Sequence, residues 1–202
     1  MNNVTELMKV MSAYERAINS AHQSVRVGRI YKKVFDHPKY EYMYPLLNNR
    51  LFTSLNILDL LIGLKHIDQY QATGNMLEAN YFARIVALNA HEALEAIPIL
   101  SNQKIRQFIM AQIGEEGIKE IDELIKTLNV LKRTHLFELK KIRNNVVGHK
   151  LSDSLEQSDI IQQIDTKKVY AIGNSLVATL LKLVGSFTNV LEKLPQPDST
   201  SG

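Results

Sequence analysis

The segment from Thr166 to Leu194 constrains this chain more than any other. Val169, Ile172, Leu176, Leu180, Val184, Phe187 and Leu191 recur at steps of three and four. That period fits an α-helix with one apolar face, and such a face must be covered by other elements. The remaining sequence supplies them in the same pattern. A first helix is expected over about Val4–Lys33, a break with Pro38 and Pro45 over Val34–Pro45, and a second helix over Leu46–Gln71 before a turn at Gly74. A third is expected over Leu77–Ile97, stopped near Pro98. A fourth is expected over Asn102–Leu128, kinked or divided between Gly114 and Gly117, and a fifth over Thr134–Val147. Residues 148–165 read as a turn plus a short helical piece, with Asp165 as the N-cap of the last helix. No stretch alternates as a strand would. The expected fold is therefore all-α, an up-and-down helical bundle with a long C-terminal helix.

Length and composition narrow the classes further. A chain of 202 residues can bury one sizeable core, so residues 1–194 are read as one helical domain and 195–202 as a disordered polar tail. Cysteine is absent, which removes thiol nucleophiles, disulfides and thiolate metal sites. The N-terminus has Glu6 and no basic start before an apolar run, so it does not read as a secretion signal. The apolar stretch Leu55–Leu64 is broken by Asp59 and too short to span a bilayer. A cytoplasmic location is expected. The formal net charge is only +3, but the charge is concentrated: between positions 132 and 150 lie Lys132, Arg133, Lys140, Lys141, Arg143 and Lys150, with Glu138 the one acid. Such a cluster favours an anionic partner.

Arg143 is the pointed member of that cluster. Leu136, Leu139, Val146 and Val147 form an apolar stripe at helical spacing, and Arg143 falls in its middle. A guanidinium stays charged, so on such a stripe it needs an anion, a carboxylate or a wet cleft. Gly148 reads as the helix stop, and the fold-back after a glycine cap brings His149 beside the turn carrying Arg143 and Asn144. A phosphate-binding cation then stands next to a group that titrates near neutrality.

On Arg143, Asn144 and His149 the chain resembles the HEPN superfamily (higher eukaryotes and prokaryotes nucleotide-binding), in particular its abortive-infection and toxin-like members. The family signature is an arginine, often followed by a polar residue, then a histidine after about four to six positions. The likeness covers roughly residues 40–194, which leaves the helix over 4–33 as an N-terminal extension. It implies a metal-independent endoribonuclease whose two protomers pair their Arg143–His149 segments across a cleft, with Arg143, Asn144 and His149 catalytic and Lys140, Lys141 and Lys150 on the RNA. The implied products are a 2′,3′-cyclic phosphate and a 5′-hydroxyl, the implied setting phage defence or a toxin–antitoxin pair with a protein antitoxin. Members of the superfamily can lack activity, so a non-catalytic helical module that binds RNA, nucleotide or protein is the alternative.

Other constellations carry less. Arg16 with His22 and Arg84 with His91 have similar spacings, but each lies in a continuous helical pattern without a glycine stop or a polar residue after the arginine. His91 and Glu95 share a helical face and read as a surface pair. Neither the histidines nor the glycines form a metal-binding or nucleotide-phosphate motif, so no metal and no cofactor is expected. Asp59 either edges its helix or pairs with a cation such as Arg143. The stretch Tyr31–Tyr44 interleaves aromatic and basic residues, which suits either bundle capping or base stacking. The long apolar final helix and the placement of Arg143 together predict a homodimer that buries the Arg143 segment. Light scattering at micromolar concentration should return the dimer mass, and a monodisperse monomer would contradict the shared cleft.

Overall fold

In the computed structural model the described residues are 2–34, 43–97, 103–144, 159 and 161–193. They form α1 (Asn2–Val34), α2 (Tyr44–Ala72), α3 (Met76–Glu95), α4 (Gln103–Ile142) and α5 (Thr166–Glu192). The chain is an all-α bundle with no strand among these residues. α1 lies along α2, while α2, α3 and α5 pack mutually and α4 closes the bundle against α3 and α5. Of the expected break over Val34–Pro45, Val34 ends α1 and Pro45 stands in the first turn of α2, while residues 35–42 fall outside the described residues. The segment 98–102, residues 145–158 and the tail at 195–202 also fall outside them.

α5 is central because its apolar stripe is consumed inside the bundle. Val169, Ile172, Leu176, Leu180, Phe187 and Leu191 are buried, and Asp165 caps the helix by accepting a 3.0 Å bond from the Lys168 amide. By length and composition α5 could also cross a membrane, but its apolar face meets α2, α3 and α4. The apolar stripe of α5 is therefore covered within the protomer.

α3 can approach its neighbours closely because its inner face is small. Ala79, Ala83, Ala87, Ala90 and Ala93 are all buried. Val86 projects from that face between two glycines. A methyl group on Gly63 of α2 would sit 2.5 Å from Val86 Cγ2, and one on Gly173 of α5 would sit 2.9 Å from Val86 Cγ1 and 3.0 Å from Leu64 Cδ2. Valine has little rotameric freedom in a helix, so it cannot swing away. The two glycines set the spacing of three helices.

Polar ties fix the register of this packing. Tyr170 of α5 donates to Asp68 Oδ2 of α2 at 2.6 Å. Its one proton being committed there, Tyr170 accepts from the Tyr14 hydroxyl of α1 at 2.8 Å. Burial, then the bond to Tyr170 and the charge of Asp68, push the Tyr14 phenol far above its ordinary value, so it stays protonated as donor. Asn80 of α3 accepts from the buried Thr166 hydroxyl at the start of α5 and donates to the Ile161 carbonyl at 3.3 Å. Arg50 is the buried arginine of the bundle. Its Nε donates to Thr188 Oγ1 at 3.0 Å and its Nη1 to the Ser24 carbonyl at 3.2 Å, joining α2 to α5 and α1. Sequence periodicity did not single it out.

α4 departs from expectation in the middle. Instead of a helix that stops at Leu128, the element is two helical segments that meet at Gly114, whose φ of 75° and ψ of −172° leave the helical region, and the second segment runs unbroken to Ile142. Arg106 of the first segment bonds Asp122 of the second at 2.6 and 2.8 Å, so the chain folds back at that glycine. The bend was expected at that glycine; the second break was not present. Residues 129–133 contain neither glycine nor proline, and Thr134 returns its hydroxyl to the Val130 carbonyl at 2.9 Å rather than starting a new helix.

The wedge makes a direct prediction. Gly63→Ala should destabilise the protein by about 1–3 kcal/mol, the usual cost of overpacking, and adding Val86→Ala should recover part of that loss. Gly185→Ala, with nothing within 4 Å of the new methyl, should be neutral or stabilise by up to about 1 kcal/mol. Urea titrations of the variants check both, and equal effects at Gly63 and Gly185 would contradict the wedge.

Candidate functional site

The α-helical part of α4 ends at Ile142, and Arg143 and Asn144 follow in a wider π-type turn. π turns interrupt the i to i−4 ladder and are frequent at functional positions. Leu139 and Ile142 are buried against the core, which anchors the end of α4. Arg143 is half-buried beside them, and Asn144, Lys140 and Lys141 are exposed. Among the described residues no ion pair engages Arg143. Asn145, Val146, Val147, Gly148, His149 and Lys150, and with them the expected glycine fold-back, lie outside the described residues.

The basic cluster is simplified by where its acid goes. Glu138 pairs with Lys168 of α5 at 2.6 Å and raises that lysine's pKa by the bond and by its charge. The end of α4 therefore presents Lys140, Lys141 and Arg143 with its nearest helical carboxylate engaged elsewhere. A small cleft of about 210 Å³ lies on the α5 side, lined by Glu138, Lys141, Ile142, Gln163, Ile164 and Asp165.

Facing this end from α3 is a histidine that the sequence reading assigned differently. His91 is buried at 6% exposure, not a surface residue, whereas Glu95 is exposed and pairs with Lys132 of α4 at 3.1 Å. The bond to Lys132 holds the Glu95 carboxyl below its ordinary value. His91 is held below its ordinary value first by burial and then by the charge of Arg143; Glu95 and Glu92 oppose this, and Lys140 adds to it. Its Nδ1 has no hydrogen-bond partner among the described residues. A neutral imidazole thus stands close enough to Arg143 to feel its charge. The signal was present in the sequence: His91 lies four residues after Ala87 and three before Leu94, on the stripe that α3 buries.

Asp59 lies at the exposed edge of α2, where partial desolvation of its carboxyl and then the charge of Glu92 raise its pKa, and no ion pair with Arg143 is formed among the described residues. Arg16 and His22 are both exposed on α1, with Arg16 Nη1 bonded to Ser12 Oγ at 2.8 Å. Of the Tyr31–Tyr44 stretch, Tyr31 and Tyr44 are half-buried and residues 35–42 lie outside the described set. No group of three metal-ligating side chains gathers among the described residues. Compared with known proteins, the chain matches no family model, no curated relative and no solved structure.

The state of His91 carries a pH consequence. A histidine whose folded pKa is depressed costs the folded state nothing above its ordinary value of 6.5, because both states are then neutral. Below that value the unfolded chain takes up the proton first, so stability falls with pH. His66, likewise lowered by burial and by Lys65, acts in the same direction. The melting temperature should drop between about pH 7.5 and 6, and His91→Asn should flatten part of that slope. An unchanged slope in a folded variant would show that His91 is not held neutral.

Proposed function

We propose that this protein is a metal-independent endoribonuclease of the HEPN type, acting in the cytoplasm as a toxin or phage-defence effector and held in check by a protein antitoxin. The observation that carries the reading is the half-buried Arg143 in a π-type turn, at a helix end whose exposed neighbours are Lys140 and Lys141 and whose acid is paired away. A cation held there with no described carboxylate partner is arranged for an anion that arrives from outside.

In this reading Arg143 stabilises charge that develops on the scissile phosphate, and Asn144 orients the phosphate. His149 takes the proton of the ribose 2′-hydroxyl or protonates the leaving 5′-oxygen. The 2′-oxygen attacks its own phosphate, the bond to the 5′-oxygen breaks, and a 2′,3′-cyclic phosphate and a 5′-hydroxyl result. Lys140, Lys141 and Lys150 bind the flanking phosphates. Two protomers pair their Arg143–His149 segments about a shared cleft, through the ends of α4 rather than through the covered face of α5. Nothing in these steps calls for a cofactor or a metal.

The non-catalytic alternative draws support from His91. A buried histidine in the field of Arg143 gives the arginine a structural neighbour of its own. One assay separates the readings. Labelled single-stranded RNA incubated with the protein in excess chelator should be cut to fragments whose mass shows a cyclic phosphate, and His149→Ala should abolish the cutting with little change in melting temperature. RNA binding without cutting selects the non-catalytic module, and undiminished cutting by a folded His149→Ala removes that histidine from the chemistry.

A further inference from the structure

The outer face of α4 carries a feature that neither the core nor Arg143 uses. Phe137 is 84% exposed and Val130 60% exposed, the largest apolar exposures on the second half of that helix. Together with Lys126, Arg133, Lys140, Lys141 and Asn144 they stand at steps of three and four residues, so they form one stripe along the helix. Every member is exposed, and none is acidic. An open groove of about 560 Å³ runs beside the stripe, lined by Asn129, Lys132, Arg133, Leu136, Phe137 and Lys140. Phe137 lies six residues before Arg143, about 9 Å along the helix axis.

A large aromatic ring kept in water between cations needs an occupant with complementary chemistry. A second copy fits poorly, because the same stripe laid against itself sets Arg133, Lys140 and Lys141 against their equivalents with no acid to offset them. A membrane surface fits poorly as well: it needs a wide apolar face, and this stripe offers one ring and one valine. A single-stranded nucleic acid matches both features, since its phosphates meet the cations and its bases have flat faces that stack on an exposed ring. We infer that the outer stripe of α4 is a track for single-stranded RNA, with Phe137 stacking a base and Arg133 and Lys140 on neighbouring phosphates, and that it leads the strand to Arg143. This rests on the ribonuclease reading for its substrate, and adds the residues that hold the strand ahead of the cut.

The test uses a fluorescein-labelled, 2′-O-methylated oligouridylate of about 16 nucleotides, which can bind but cannot be cleaved because its 2′-oxygens are blocked. Anisotropy should show Phe137→Ala weakening binding about tenfold or more, with Phe137→Tyr restoring it to within about threefold of wild type. Arg133→Ala should flatten the dependence of log affinity on log salt by about 0.7. Melting temperatures should be unchanged, since the ring is exposed. If wild type cleaves RNA and Phe137→Ala binds the oligomer as tightly, the track is overturned while the ribonuclease reading stands. If wild type cleaves nothing but shows the Phe137-dependent binding, the track stands and the ribonuclease reading falls. A dimer that Phe137→Ala splits into monomers, or Phe137-dependent binding to anionic phosphatidylserine vesicles in place of RNA, would overturn the track in favour of those occupants.

Discussion

The bundle depends on one close approach, where Val86 of α3 lodges between Gly63 of α2 and Gly173 of α5. Three helices can meet there only because two of them lack a side chain at the contact and the third carries an alanine-rich face. A core built this way is intolerant of added volume, since a stiff valine has no second position to take. The same contact fixes the axial position of α3, and with it the place where His91 and Glu95 meet α4. The electrostatics at the end of α4 are thus set by packing several residues away.

Charge placement follows from that geometry. Glu95 of α3 takes Lys132 and Lys168 of α5 takes Glu138, so α4 is tied on both flanks by its own charged residues. Exposed ion pairs of this kind add little stability. Their consequence is the charge they leave over: Arg133, Lys140, Lys141 and Arg143 retain no carboxylate among the described ion pairs. Arg50 shows the opposite solution for a buried guanidinium, which spends its donors on a backbone carbonyl and a threonine hydroxyl. The two arginines differ because Arg50 is enclosed by three helices whereas Arg143 sits at a helix end.

Much of the fold was legible in the sequence because helical periodicity reports directly on which face is covered. The stripe of α5, the cap at Asp165, the turn at Gly74 and the bend at Gly114 each have a local chemical cause, and local causes survive into the structure. The break after Leu128 had no such cause and did not occur. His91 was misread because a histidine next to two glutamates looks solvated, while its position on the buried stripe of α3 outweighs its neighbours. Arg50 was missed because its partners are a carbonyl and a hydroxyl on distant helices, which no spacing announces. At the candidate site, the basic flank of Arg143 was readable from residue types, with the arginine read inside a helix over Thr134–Val147, but its neighbour on α3 depends on tertiary packing alone.

The central claim is that Arg143 acts on a phosphate rather than as a strut of the bundle. Arg143→Lys keeps the charge and loses the planar fork that grips two oxygens. The decisive measurement is RNA cleavage and thermal unfolding of this variant beside the wild type, in the same buffer. The account predicts an unchanged melting temperature, retained RNA affinity and turnover lowered about 100-fold or more, the signature of a contact made in the transition state. A lowered melting temperature with cleavage kept in the folded fraction would contradict it and make Arg143 a structural residue.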